Sequence, residues 1–181
     1  VKHCLSNLTE KVKLVFPKLQ EGEVIEREAV VCDQFVTSED RWVLMELEDE
    51  IDAPNITIAS MCLQPFDEVN VYGYDSNFFA MGKWTRFQSS ASMISNPDLV
   101  QDMLFDPVDS QEKDFSGLSG SPIVKGNCII GIVSQETLEN TQAISIHGIS
   151  VKSSIDFFER YDIEVEELTD AGEYNFEVSM S

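Results

Sequence analysis

Residues 115–124 read Phe-Ser-Gly-Leu-Ser-Gly-Ser-Pro-Ile-Val. Two glycines flank Ser119, with Gly117 two positions before it and Gly120 directly after it. Glycine adopts backbone angles that other residues avoid, so this spacing predicts a tight turn that exposes the hydroxyl of Ser119. A nucleophilic serine needs such a turn, with backbone N–H groups facing the oxygen that becomes negative in acyl transfer. The same residues also suit an ordinary loop ahead of a hairpin.

The residues that follow predict an antiparallel sheet. Residues 121–125 and 128–135 read as two strands joined by a tight turn at 126–127. A further strand over 143–151 and a short amphipathic helix over 152–161 come next. Together these elements resemble the C-terminal half of the trypsin-like (chymotrypsin-fold) serine peptidases, in which a Gly-x-Ser-Gly-Gly-Pro segment carries the nucleophile.

The resemblance implies an all-β fold, a double six-stranded β-barrel of the chymotrypsin type with a short C-terminal helix. It assigns residues 1–65 to a partial N-terminal barrel and residues 66–161 to a C-terminal barrel plus the terminal helix. Residues 162–181 are expected to be an acidic tail or a linker to a further domain. The first barrel lacks its N-terminal strands in this sequence, and we expect a segment ahead of residue 1 to supply them.

The resemblance also assigns roles around the glycine-rich turn. Ser119 corresponds to the nucleophile, and the backbone N–H groups of Gly117 and Ser119 correspond to the oxyanion hole. The family's substrate-pairing strand corresponds to Ser134, Gln135 and Glu136. Two residues depart from the family: Ser121 stands where glycine is usual, and Leu118 replaces the aspartate that anchors a cleaved N-terminus in many secreted members. Activation by that route is therefore not expected.

His3 is the expected general base. It lies in the segment Val-Lys-His-Cys-Leu, which resembles the Ala-Ala-His-Cys segment around the family's catalytic histidine. The other histidine of the chain, His147, precedes Gly148 in a strand expected near the specificity pocket and is interpreted as a rim or partly buried residue.

The acid that should orient the base has two possible registers. Residues 38–47 resemble the family strand that begins with the catalytic aspartate. One register leaves Glu46 facing outward and puts Arg41 in the aspartate's place. A shift by one residue makes Asp40 the partner but turns Glu46 to a usually apolar face, because side chains alternate along a strand. A β-bulge before Trp42 could reconcile the two, and Asp40 is the predicted partner.

Substrate preference depends on Lys113 and Asp114, at and after the position that forms the family's pocket floor. An inward Lys113 would favour an acidic side chain at the cleaved residue, and an inward Asp114 a basic one. Glu136 would reinforce a basic preference and narrow the pocket, and Gly148 is expected to line it. Both charged residues could instead point to solvent, since unpaired charges are costly to bury.

Twelve basic and thirty-three acidic residues give a net charge of −21, with acids concentrated in residues 39–52 and 156–177. This charge repels phosphate backbones and anionic lipid, so neither nucleic acid nor a membrane is expected as a direct partner. The acidic faces are interpreted mainly as solvated surface, with docking of a basic partner as the alternative.

The four cysteines, Cys4, Cys32, Cys62 and Cys128, lack the paired short spacing of zinc ligands, so no metal site is expected. Ser116 replaces a half-cystine of the family, and the usual partner of Cys4 would lie before residue 1. The disulfides of secreted members are thus mostly missing. The resemblance is therefore closer to bacterial or intracellular members than to secreted trypsins, and a cytoplasmic location is expected.

These residues predict a trypsin-like serine endopeptidase that cleaves protein or peptide substrates through an acyl-enzyme, as a domain of a larger regulated intracellular protein, with no cofactor. Related intracellular members serve in quality control and in bacterial defence. One alternative is a catalytically inactive protease-fold module that binds a protein partner through its acidic surface. Another is a protease whose site forms only when a regulatory domain or subunit binds.

Overall fold

The computed structural model describes residues 11–17, 24–32, 42–49, 56–74, 82–90, 102–108, 115–140 and 142–168. The chain forms two compact units, Val1–Asn55 and Ile56–Ser181. The boundary expected after residue 65 stays a prediction. The strand just before that position, β4 (Thr57–Met61), already belongs to the second unit and pairs with another strand of that unit.

The first unit contains a three-stranded antiparallel sheet in the order β1-β2-β3. Its strands are β1 (Val12–Pro17), β2 (Val24–Val31) and β3 (Met45–Leu47). Ala29 of β2 lies opposite Val12 on one side and Leu47 on the other, and it is fully buried. Exposed ion pairs connect Lys11 to Glu28 and Glu48.

The second unit contains a closed six-stranded barrel. Its strands follow one another in the order β10-β7-β6-β5-β8-β9, and pairing of β9 with β10 closes the ring. These strands are β5 (Glu68–Gly73), β6 (Lys83–Ser89), β7 (Met103–Pro107), β8 (Pro122–Lys125), β9 (Cys128–Glu139) and β10 (Gln142–Ser150). Closure leaves none of these six strands with an open edge along its full length.

The barrel interior is filled by the apolar half of each alternating strand. Buried and exposed residues alternate along β5, where Val69 and Val71 point inward and Glu68 and Asn70 outward. The core consists of aliphatic and aromatic side chains, chiefly Val69, Val71, Phe87, Met103, Phe105, Phe115, Leu118, Ile123, Ile130, Val133 and Ile146.

Two β-bulges interrupt the pairing of β9 with β10. Gly148 lies opposite Val133 and His147 opposite Gln135, so Ser134 is an extra residue on β9. Nearer the tip of the hairpin, Ile144 is an extra residue on β10. A bulge bends its strand and re-aims the neighbouring groups, so the one at Ser134 alters the face that β9 presents.

A short polar network connects the start of β7 to the end of β10. Asp102, just before β7, accepts a hydrogen bond from the backbone N–H of Ser150 at 2.8 Å and another from the Ser150 hydroxyl. The same hydroxyl oxygen accepts the N–H of Ser153 at 2.9 Å. This network joins β7 and β10 to the helical segment that follows.

That segment is a 3₁₀ turn, Lys152–Ser154, followed by α1 (Ile155–Arg160). Phe157 and Phe158 of α1 are buried. The final strand, β11 (Glu166–Leu168), runs parallel to β4 at the outer edge of the larger sheet. β11 lies within residues 162–181, which were expected to be a tail or linker. In the described ranges, no helix is both long and apolar enough to span a bilayer.

Candidate active site

The turn that carries Ser119 consists of two short backbone loops in succession. Leu118 N–H donates to the carbonyl of Phe115 at 3.1 Å, and Ser121 N–H donates to the carbonyl of Leu118 at 2.8 Å. Gly117 and Gly120 have φ angles of 92° and 89°, which strongly favour glycine. The predicted glycine-rich turn is therefore present, with Ser119 between its two left-handed residues.

Leu118 anchors this turn by its side chain. It is only 1% exposed and belongs to the barrel core. The position that resembles the family's anchoring aspartate thus holds an apolar side chain buried among apolar neighbours. Burying such a side chain is worth about 1.5–3 kcal/mol relative to leaving it exposed, so the turn is held by packing at this point.

Hydrogen bonds tie the turn to β9 along its length. Gly120 N–H donates to Val133 O at 2.8 Å, and Val133 N–H donates to Ser121 O at 2.9 Å. Between them, the hydroxyl of Ser119 donates to the backbone carbonyl of Ser134 at 2.7 Å. The candidate nucleophile and the predicted substrate-pairing strand are therefore in direct contact.

Ser134 makes this contact from the bulge position of β9. Because it is the extra residue opposite Gly148 and His147, its groups do not complete the regular ladder. Its carbonyl is directed at Ser119, and its hydroxyl donates to the carbonyl of His147 at 3.1 Å. Ser134 is 6% exposed, so both contacts are sheltered from water.

Glu136 makes the fourth contact between the turn and β9. Its Oε2 accepts the backbone N–H of Phe115 at 2.9 Å. Phe115 is 3% exposed, and its ring contacts that of Phe87 with a centroid separation of 5.1 Å. A charged acceptor on β9 thus holds the start of the segment that leads to Gly117 and Ser119.

The backbone N–H of Gly117, one of the two donors of the predicted oxyanion hole, is available for a hydrogen bond. In the described part of the chain, the N–H groups of Leu118, Gly120 and Ser121 donate to backbone carbonyls, whereas no such bond forms from the N–H of Gly117. Gly117 is also exposed. An N–H in this position can stabilise a developing oxyanion.

The space behind the turn is tightly filled. A Cβ on Gly73, at the end of β5, would overlap the hydroxyl of Ser121 and lie 2.6 Å from Cδ2 of Leu118. Only glycine fits here without displacing the side chains of Ser121 and Leu118, because real Cβ contacts are not this short. The serine at position 121, which departs from the family, is thus accommodated by a glycine on the neighbouring strand.

The remaining described candidates lie on β9 and β10. Gln135 is exposed, and it pairs with His147. The Nε2 atom of His147 lies 2.7 Å from the hydroxyl of Thr137, and burial lowers the pKa of His147 below its ordinary value. Gly148 is buried, and a Cβ there would lie 2.5 Å from Cδ1 of Ile123, so this glycine permits close packing inside the barrel.

Several predicted site residues lie outside the described residues. They are His3, Asp40, Arg41, Lys113 and Asp114. In β3, Glu46 is exposed between two half-buried neighbours, as the register that places Arg41 at the acid position requires. That finding concerns Glu46 alone, and the roles of His3, Asp40, Lys113 and Asp114 stay predictions.

The described site offers the hydroxyl of Ser119, the backbone N–H of Gly117 and a strand bulge whose carbonyl contacts that hydroxyl. Such a set can present a serine oxygen to a carbonyl carbon and stabilise the resulting negative oxygen. Among the described residues, no group of three or more His, Cys, Asp or Glu side chains is arranged to hold a metal ion.

Comparison with known proteins concerns the fold. No protein-family model matches the sequence, and none of the curated proteins is significantly similar to it. Among solved structures, the chain is similar to neuropsin, a serine protease expressed in the limbic system of mouse brain, with a TM-score of 0.62 and 14% identity over 88% of this chain and 82% of neuropsin. The fold is trypsin-like.

Two further structures support the trypsin-like fold. Kallikrein-related peptidase 10 matches with a TM-score of 0.58 and 16% identity, over 78% of this chain and 74% of the peptidase. Its complex with Zn²⁺ matches with a TM-score of 0.55 and 14% identity, over 77% and 79% of the two chains. The predicted all-β, trypsin-like architecture is confirmed, and the likeness extends to the fold alone.

Two contacts of the site had no signal in the sequence. The carboxylate of Glu136 reaches a backbone N–H in a segment that begins 21 residues earlier, and nothing in either segment specifies that pairing. The bulge at Ser134 likewise depends on how β10 aligns with β9. The burial of Leu118 did have a signal, since it is an apolar residue in an otherwise small and polar turn.

Proposed function

We propose that the protein is a serine endopeptidase of the trypsin-like kind, which acts on protein or peptide substrates. The observation that carries this proposal is the placement of Ser119. Its hydroxyl stands on a turn between two left-handed glycines and contacts the strand on which a substrate would pair. A trypsin-like fold alone does not imply activity, and this placement supplies the chemical argument.

In the proposed mechanism, the hydroxyl of Ser119 turns from the Ser134 carbonyl to His3, which takes its proton as Ser119 attacks the peptide carbonyl. The N–H groups of Gly117 and Ser119 then donate hydrogen bonds to the oxyanion. His3 gives its proton to the leaving amine, and the acyl-enzyme is hydrolysed by water with His3 again as base. Asp40 is the proposed partner that orients His3, with a β-bulge before Trp42 reconciling this role with the outward Glu46.

The strand contact sets a requirement on the substrate. The carbonyl of Ser134 accepts the Ser119 hydroxyl at 2.7 Å, and it is also the group to which a substrate N–H on this strand would donate. A substrate N–H that donates to the Ser134 carbonyl weakens its bond to the Ser119 hydroxyl, which favours rotation of the hydroxyl toward the base.

A second candidate function is a catalytically inactive module that binds a basic protein partner. The outward position of Glu46 favours it, because that register assigns Arg41, and no carboxylate, to the position that orients the base. The net charge of −21 would support recognition of a basic surface.

Covalent labelling by a fluorophosphonate probe distinguishes the two functions. We expect the protein to be labelled at Ser119, with labelling lost in Ser119→Ala and strongly reduced in His3→Ala. Ser145→Ala, at a buried serine of β10 that pairs with Thr137, is the matched serine control and should label like the wild type. Absence of labelling in the wild-type protein would contradict the enzyme and leave the binding module, whereas labelling only with a partner present would indicate a regulated protease.

A further inference from the structure

The segment from Phe115 to Ser121 is held at both ends, and its two ends are held differently. At the C-terminal end, backbone hydrogen bonds between Gly120, Ser121 and Val133 join it to β9. In the middle, the side chain of Leu118 is buried in the barrel core. At the N-terminal end, a hydrogen bond from Phe115 N–H to the Glu136 carboxylate connects it to β9.

Gly117 is the residue that most needs this N-terminal link. It lies two positions after Phe115, has a φ angle of 92° and is exposed. Glycine has the widest choice of backbone conformations, so the direction of its N–H depends on how its neighbours are fixed. Leu118 fixes the following side, and the Phe115–Glu136 contact fixes the preceding side.

We infer that Glu136 is a positioning residue that holds the oxyanion-stabilising N–H of Gly117 in place. The inference rests on the proposed function and extends it. Together with the buried Leu118, this carboxylate organises the catalytic turn from within the second unit, by a charge-assisted hydrogen bond to a buried backbone N–H. No ion pair to a newly formed N-terminus is needed for that purpose, and Leu118 could not make one.

The location of Glu136 suits this role. It lies two residues after Ser134 on β9, so the same short stretch of strand contacts both the nucleophile and the start of its turn. Its other carboxylate oxygen takes no hydrogen bond from the described residues, so the contact to Phe115 is the interaction a substitution would remove. Gln at position 136 would keep an oxygen acceptor, whereas Ala would not.

Hydrolysis of p-nitrophenyl acetate tests the inference, because its small acyl group needs the nucleophile and the oxyanion donors but no side-chain pocket. For Glu136→Ala we expect kcat to fall roughly 10- to 100-fold with KM little changed, as for misplacement of a group that acts in the transition state. Glu136→Gln should recover most of the lost rate. Glu139→Ala, an exposed carboxylate on the same strand, should hydrolyse the ester like the wild type.

Two further measurements show whether Glu136→Ala acts by misplacing the turn or by a general loss of stability. The size of the ester distinguishes both from a change in the width of the substrate pocket. Thermal unfolding should show Glu136→Ala to be folded, and amide hydrogen exchange should be faster in peptides that contain residues 115–121. A Glu136→Ala variant that hydrolyses the acetate ester as fast as the wild type would contradict the inference. Faster hydrolysis of larger esters alone would only show that Glu136 narrows the pocket. Failure of the wild type itself to react with ester and fluorophosphonate would contradict the proposed function instead.

Discussion

The Ser119 hydroxyl donates a hydrogen bond to the backbone carbonyl of Ser134, with 2.7 Å between the two oxygens. This contact joins the glycine-rich turn to the bulge of β9 and gives the candidate nucleophile a partner within the barrel. A typical hydrogen bond contributes only about 0.5–1.5 kcal/mol to folding. The contact is therefore weak enough to exchange for another partner when a substrate pairs with the strand.

Replacement of Ser119 by alanine should abolish fluorophosphonate labelling and leave the fold intact. We expect the free energy of unfolding to fall by about 1 kcal/mol, because the hydrogen bond to the Ser134 carbonyl is removed at a half-buried position. Urea denaturation followed by circular dichroism measures this value. A loss of several kcal/mol would indicate that Ser119 has a structural role in the core of the turn.

Replacement of Leu118 tests how the turn is anchored. Leu118→Ala should lower the free energy of unfolding by about 2–5 kcal/mol, because it leaves a cavity at a position that is 1% exposed. Leu118→Asp should cost more, since it places an unpaired carboxylate in the apolar core. Leu118→Met is the control and should cost less than about 1.5 kcal/mol. Denaturant titrations of all three variants give the comparison, and an aspartate variant as stable as the wild type would contradict the apolar anchor.

Replacement of Gly73 by alanine should disturb the position of Ser119 through its neighbours Leu118 and Ser121. The added Cβ would overlap Ser121 Oγ and lie 2.6 Å from Leu118 Cδ2, so these two side chains must shift. We expect a loss of about 1–3 kcal/mol in unfolding free energy together with slower labelling of Ser119.

The double variant Gly73→Ala/Ser121→Gly supplies the internal control for this prediction. Removing the hydroxymethyl group of Ser121 makes room for the new Cβ, so stability and labelling should recover in part. A double-mutant cycle measures the coupling between the two positions. Strictly additive effects would show that the two side chains do not compete for the same space.

His147 should make stability depend on pH. Burial lowers its pKa below the ordinary value of 6.5, so the unfolded chain binds this proton more readily than the folded protein. The free energy of unfolding should therefore decrease as the pH falls from 6.5 toward the folded-state pKa. Above this window both states are neutral at His147, and its contribution is constant.

Urea midpoints measured between neutral and mildly acidic pH check this dependence. In His147→Gln, which keeps a polar group near Thr137, the decrease in stability across the window should be smaller than in the wild type. Equal slopes in the two proteins would show that other groups account for the pH dependence.

The cysteines should differ in reactivity by position. Cys128 is 5% exposed, and burial, with a smaller contribution from the Glu166 carboxylate, raises the pKa of its thiol. Cys32 and Cys62 are exposed. Iodoacetamide should therefore modify Cys32 and Cys62 in the folded protein and Cys128 only in urea, as peptide mass spectrometry would show. Modification of Cys128 in the folded state would contradict its burial.

The elements that depend on residues close together in the sequence could be predicted. The hairpin of β8 and β9 was expected from Gly126 and Asn127 between two apolar runs, and the structure has this turn, with Gly126 at a φ of 61°. The strand expected over residues 143–151 matches β10. In such segments the intrinsic preference of each residue for a strand or a turn agrees with its burial, so the sequence pattern is sufficient to predict the element.

Features that depend on distant partners could not be predicted. The segment 152–161 was expected to be one helix, whereas the structure has a 3₁₀ turn followed by α1, with Asp102 and Ser150 ordering its start. The contact between Glu136 and Phe115 depends on the path of the whole barrel between them. Candidate site residues in the glycine-rich turn could therefore be recognised, but the group that holds the turn could not.

The parallel pairing of β11 with β4 has a consequence for the protein in concentrated solution. β11 is the last strand of the larger sheet, and two of its three residues, Glu166 and Glu167, are exposed carboxylates. A second molecule that approached this edge with its own β11 would bring like charges together and meet electrostatic repulsion. Among the described strands, Glu166 and Glu167 therefore disfavour edge-to-edge pairing at β11.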